Sequence, residues 1–193
     1  GDDDHTGWEV GHFLNLSLHG NPTVLDTFVS PVISYGRCKP KLCIFGSLNC
    51  WNENCDGYWG TKLRELFPYV LNRKAIYNAY RGYSNNQRKK LFEPTGGVLA
   101  GERKWKFGVA YIRVLIHGAA LLRDGTYDPS NLWGWKKSLV EIKNGQWTDG
   151  QIVDLATALE HNLTGYYLNS KVQEEPNLEK INNFLLELRK VWW

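Results

Sequence analysis

The sequence predicts a mainly α fold, a helical bundle with a Cys-rich irregular insertion. Three observations predict it. Apolar residues recur at three- and four-residue spacing through most of the chain. The run Trp105–Leu122 is apolar on nearly every face, which marks a buried central helix. Gly, Pro and Asn collect in short clusters between the periodic segments.

Element by element, Trp8–Leu18 has helical spacing through Phe13, Leu14, Leu16 and Leu18, and Gly20-Asn21-Pro22 stops it. Thr23 is placed to cap a short second helix through Val24, Leu25 and Phe28. Residues 30–57 read as irregular. Trp59–Phe67 reads as a short helix ended before Pro68. Leu71–Leu91 reads as a long helix, with Gly82 a soft point or a close contact. Glu93–Gly101 is a Gly- and Pro-containing loop, and Asp124-Gly125 ends the central helix. Asn131–Asn144 reads as loop, with at most a short extended or helical piece. Thr148 caps a helix running to Ser170, and a final helix covers Asn177–Lys190.

At 193 residues, 42% hydrophobic and 22% charged, the chain has the composition of a soluble globular protein. No apolar run approaches a membrane span, so no membrane partner is expected. The start, GDDDHTG, is not a signal peptide, and a cytoplasmic location is expected. The chain holds no Met and is read as a trimmed or processed piece of a longer protein. The sequons at Asn15 and Asn162 fall in helical patterns and are read as chance matches.

Charge is uneven. The net charge is +3, yet ten Lys and Arg lie between Asn72 and Arg113 against two acids, Glu93 and Glu102. Tyr77, Tyr80, Tyr83 and Trp105 are interleaved. Such a region suits a polyanion, a nucleotide or nucleic acid. Lys74, Asn78, Arg81, Asn85 and Arg88 share one helix face. Lys106, Ala110, Arg113 and His117 share a face of the central helix. Arg113, flanked by Ile112 and Val114, is expected to be buried or half-buried and paired, with a protein carboxylate or with a ligand phosphate.

Cys38, Cys43, Cys50 and Cys55 follow the spacing C-x4-C-x6-C-x4-C. One structural zinc is the expectation for such a cluster without a secretory signal, with free thiols or disulfides the alternatives. Lys39 and Lys41 would offset the charge of four thiolates.

The stretch DHTGWEVGHFLNLSLHGNPTVLDTFVSP, Asp4 to Pro31, resembles the polymerase-β-like nucleotidyltransferases of the predicted RNA-repair branch. There a helix of the type D-x-T-x-x-E-x-x-x-F-L-x-L precedes G-N-P-T-x-L-E. The resemblance continues in family order. Trp59–Leu91 is similar to the helix ending in aromatic-x-G-Y-x-x-x-Q, which brings in Tyr83 and Gln87. Lys106–Gly125 is similar to the K-x-A-x-H-x-x-R-L-L helix. Glu141–Thr148 and Ser170–Leu188 resemble the I-K/R-x-G-E turn and the S-x-L-P-E-x-P tail.

The resemblance implies metal-dependent nucleotidyl transfer from an NTP to a nucleic-acid acceptor, RNA by the family branch. Magnesium or manganese would be held by three carboxylates. Asp4 aligns with the third of these, with Asp2 and Asp3 as near alternatives. Lys74, Arg81, Tyr83, Gln87, Arg88, Lys106 and Arg113 become the expected nucleotide- and nucleic-acid-binding residues. The implied division is 1–30, the end of an α/β nucleotidyltransferase core; 31–58, the Cys-rich segment; and 59–193, the helical domain. Two departures follow. The Gly-Ser turn and D-x-D motif that precede the third acid are absent, and Gly46-Ser47 followed by Asp56 lies in the wrong place to replace them. Ala110 stands where the family has His. The chain is therefore expected to be a C-terminal helical part that does not catalyse alone and whose partner is the missing N-terminal part. The alternative is a non-catalytic nucleic-acid-binding helical module with a structural zinc site.

Overall fold

The computed structural model describes residues 8–28, 56–92, 102–126 and 128–192. Of these, 83% are helical and none is in a strand. The mainly helical fold read from the sequence is what the structure shows.

Helix α6 (Glu102–Asp124) is the axis of the bundle. Its residues Tyr111, Ile112 and Val114 to Leu122 are all buried. Helices α5 (Arg73–Phe92) and α8 (Asp149–Asn169) pack along it, and a 3₁₀ turn (Pro129–Trp135) followed by α7 (Lys136–Lys143) lies against its N-terminal half. Helices α1 (Val10–Leu18), α2 (Pro22–Phe28), α3 (Asp56–Glu65), α4 (Phe67–Val70) and α9 (Leu178–Trp192) extend the same core. The stretch Lys104–Asp124 of α6 is long and apolar enough to cross a membrane by length and composition. Within the bundle 61% of that stretch is buried, the pattern of a core helix.

The crossing of α5 and α6 rests on one glycine. A Cβ built on Gly118 would stand 2.6 Å from Cδ1 and 2.9 Å from Cβ of Tyr80, a fully buried ring. Only hydrogen at this position lets the helices approach so closely. Gly82, at mid-helix in α5, is the opposite case. Nothing lies within 4 Å of its Cβ position, so it is the soft point and not the close contact. Gly82→Ala is expected to raise stability by about 0.5–1 kcal/mol, measured as a higher denaturation midpoint at unchanged slope.

Local signals explain most helix ends. Thr148 accepts from the Gln151 amide while the Gln151 side chain takes the Thr148 amide at 2.8 Å, a capping box that starts α8. Gly125, at φ +67°, closes α6 through its amide on Leu121 O. Asn177 Oδ1 accepts from Lys180 N and starts α9. Glu9 caps α1 by accepting from His12 N at 2.9 Å, and backbone amides of Gly11 and His12 hold its carboxyl below the usual carboxylate range. Its contribution is therefore present above the ordinary Glu value and lost as pH falls through the lower folded one.

The structure differs from the sequence reading at three helix boundaries. Asn21, not Thr23, caps α2, since Asn21 Oδ1 accepts from the Thr23 and Val24 amides. Pro68 does not end helical structure, because it occupies the first turn of α4, where a missing N–H costs nothing. Residues 131–144 are helical through most of their length, with Ile142 fully buried as their anchor.

The segment between α8 and α9 is strapped to the α4–α5 junction. Gln173 Nε2 lies 3.1, 3.1 and 3.0 Å from the carbonyls of Pro68, Tyr69 and Leu71. The Arg73 amide donates to Gln173 O, and the Asn177 amide to Tyr69 O. Gln173→Ala would remove these side-chain bonds while Tyr69 O keeps the Asn177 amide, and a loss of about 1 kcal/mol is expected in chemical denaturation.

Candidate polyanion-binding surface

Helix α5 buries Ile76, Tyr80, Ser84 and Leu91 against α6 and turns Lys74, Asn78, Arg81, Asn85 and Arg88 outward. All five are exposed. Lys74 to Arg88 span about 21 Å along the axis. Among the described residues, no carboxylate lies within ion-pair distance of Lys74, Arg81 or Arg88. Among the described residues the stripe is thus a row of one sign without an ion-pair partner, an arrangement that attracts anions.

At the seam between α5 and α8 this stripe borders an aromatic ladder. Tyr77 stacks on Tyr167 with ring centres 4.4 Å apart and planes 16° from parallel. The Arg81 guanidinium lies 5.3 Å from the Tyr77 ring centre and that of Arg73 5.8 Å from Tyr167. Arg81 Nη1 donates to the Tyr77 hydroxyl at 3.2 Å, and the same hydroxyl is 3.2 Å from Thr164 Oγ1. Arg73 also pairs with Glu174. Further along, the Tyr111 hydroxyl donates to Glu160 Oε1 at 3.1 Å. Burial first, then the adjacent Glu160 charge, pushes the Tyr111 phenol well above its usual value.

Of the expected binding residues, the structure brings Lys74, Arg81 and Arg88 onto one face. It separates the others. Tyr83 is exposed but stands about 160° around α5 from Arg81. Gln87 is half-buried on the inward side. Lys106 and Arg113 are exposed and share a face of α6, as their spacing requires. Tyr111, on another face of that helix, is the residue near Arg88.

Arg113 corrects the sequence reading. It is exposed, not buried or half-buried, and no carboxylate pairs with it among the described residues. Apolar neighbours at Ile112 and Val114 point to other sides of the helix, so they give no measure of its burial. On its face, cover begins only one turn later. His117 is buried, 6% exposed, with Nδ1 3.7 Å from Asp26 Oδ1 of α2.

Asp4, with Asp2 and Asp3, and Cys38, Cys43, Cys50 and Cys55 lie outside the described residues. Among the described residues no group of three or more His, Cys, Asp or Glu could hold a metal ion. These residues therefore do not supply the carboxylate set that a catalytic metal needs. A cleft of 690 Å³ between α3–α4 and α9 contains none of the expected site residues. Its rim mixes Lys62 and Lys180 with Glu65 and Glu187, and Lys180 Nζ sits 3.8 Å from the Tyr69 ring centre. That balance of sign does not suit a polyanion.

Sequence reasoning passed over Arg73, Thr164 and Tyr167 as site residues. Arg73, Tyr77 and Arg81 at four-residue steps were a readable signal on α5. The α8 half of the ladder had none, since its place depends on how two helices 90 residues apart pack. Comparison with family models, with curated proteins and with solved structures finds no match to this chain.

Proposed function

We propose that this chain is the helical, nucleic-acid-holding portion of a nucleotidyltransferase of the cytoplasm, with RNA docked along α5. The observation that carries the reading is the exposed row Lys74, Arg81 and Arg88 with no carboxylate partner among the described residues. Rows of this kind bind phosphates by charge and release counterions on doing so. The segments that resemble the nucleotidyltransferases include α1, α5, α6 and α9, so the same helices support the transferase half of the proposal.

The role assigned to the described residues is to hold and orient a phosphate backbone. Arg and Lys on α5 act as fixed charges, while Asn78 and Asn85 add amide donors. The transfer step belongs to acids that the described residues do not include. Asp4 for magnesium or manganese, and Cys38, Cys43, Cys50 and Cys55 for one structural zinc, remain part of the proposal. Protein purified without chelator is expected to carry about one zinc per chain. Less than a tenth of that, or two disulfides, would end the zinc proposal.

The test of the binding role is a titration of fluorescein-labelled RNA with the 193-residue chain between 50 and 200 mM salt. Affinity is expected to fall linearly on a log–log plot. Absent or salt-independent binding contradicts the reading. Incubation with labelled NTP, Mg²⁺ or Mn²⁺ and RNA is expected to give no transfer from this chain alone. Robust transfer would place the catalytic acids within it.

A further inference from the structure

We infer that the α5–α8 seam takes an unpaired polynucleotide strand, with at least one base stacked on the ladder of Arg81, Tyr77, Tyr167 and Arg73. The inference rests on the polyanion-binding reading above and specifies the class of ligand.

Length argues against a mononucleotide. Successive cations Lys74, Arg81 and Arg88 are each one heptad apart, about 10 Å along the axis. A triphosphate can engage one such interval; only a polymer can engage both. The row is also single, with α5 offering one line of charge beside α8. Of the exposed cations nearby, Lys89 and Lys90 at the end of α5 do not continue the heptad line, and Lys106 and Arg113 are on α6. Lys90 sits 5.7 Å from the Phe107 ring centre of α6. A single line of cations follows one backbone, whereas a duplex presents two.

The aromatic ladder argues for exposed bases. Tyr77 and Tyr167 are half-buried at the seam, held near parallel, with guanidinium groups near both rings. Tyrosine rings and guanidinium planes are the surfaces on which unpaired bases stack, without preference for sequence. Arg81 is held twice, by the Tyr77 ring and by its hydroxyl, and uses one of five N–H donors in doing so. The rest can meet a phosphate from a fixed position, which lowers the ordering cost of binding. A base in a duplex has no free face for this surface.

The experiment compares a fluorescein-labelled 12-nucleotide single strand, a duplex of the same length and a labelled NTP at fixed salt, for wild type and Tyr77→Leu. The single strand is expected to bind at least tenfold tighter than duplex or NTP. Tyr77→Leu is expected to lose about tenfold for the single strand with an unchanged salt slope. If single strand and duplex bind alike and Tyr77→Leu changes nothing while the salt slope persists, this inference is overturned and the polyanion reading stands. If wild type binds none of the three, both fall. A readout independent of the variant's folding is cross-linking of wild type with a 5-bromouridine 12-mer. Adducts on Tyr77 or Tyr167 are expected, and adducts confined to other aromatics, such as the exposed Trp133, overturn the inference.

Discussion

Gly118→Ala is expected to destabilise the bundle by about 2–3 kcal/mol, at the upper end of overpacking costs. The new Cβ would meet Cγ and Cβ of Tyr80 at 2.8 and 2.9 Å, and the Tyr80 ring is fully buried. Relief requires α5 and α6 to move apart along their whole contact, since both are rigid helices. For a chain of this size the thermal midpoint should fall by roughly 5–10 °C. Gly118→Val should unfold the protein at ambient temperature or approach doing so. Gly20→Ala has a similar basis, with φ +70° and a Cβ position 2.8 Å from Ala75 C. The contrast with Gly82→Ala is the control. A melt in which Gly118→Ala matches wild type would show that the helices are not locked at this crossing.

Reversing Arg81 and Arg88 together to Glu is expected to weaken single-stranded RNA binding about 25-fold at 0.1 M salt, before counting repulsion. Each phosphate contact to a single strand contributes about 0.7 to the salt slope, hence about fivefold in affinity at that concentration. The slope itself should flatten by about 1.4. Both side chains are exposed, so folding should be unaffected, and circular dichroism can verify this. A double variant that binds like wild type would remove α5 from the interface. The matching reversal of Lys106 and Arg113 on α6 is expected to cost less, because those cations are not on the α5 stripe.

The fold was largely readable because its information is local. Period 3.6 patterns, the Thr148 cap and the Gly125 stop each act within one turn, and each falls where the sequence places it. The stripe on α5 was readable for the same reason. What the sequence could not show depends on packing between distant segments. Arg113 looked buried because α6 is apolar around it, yet no described residue covers it and it is exposed. Tyr167 gained a role only through its stack on Tyr77. Gln173 reads as an ordinary loop residue until α4 is seen to end beside it. The sequence did not decide between an extended and a helical piece within 131–144, because Lys and Glu conceal a single deep anchor, Ile142.

The central claim is that the outer face of α5 is where a nucleic-acid strand docks. Backbone amide shifts recorded by nuclear magnetic resonance during titration with a 12-nucleotide RNA locate the contact directly. The account predicts that the largest shifts fall between Lys74 and Arg88 and on α8 near Thr164 and Tyr167. Shifts confined to α6 around Lys106 and Arg113, or to the cleft beside α9, with α5 unmoved, would contradict it.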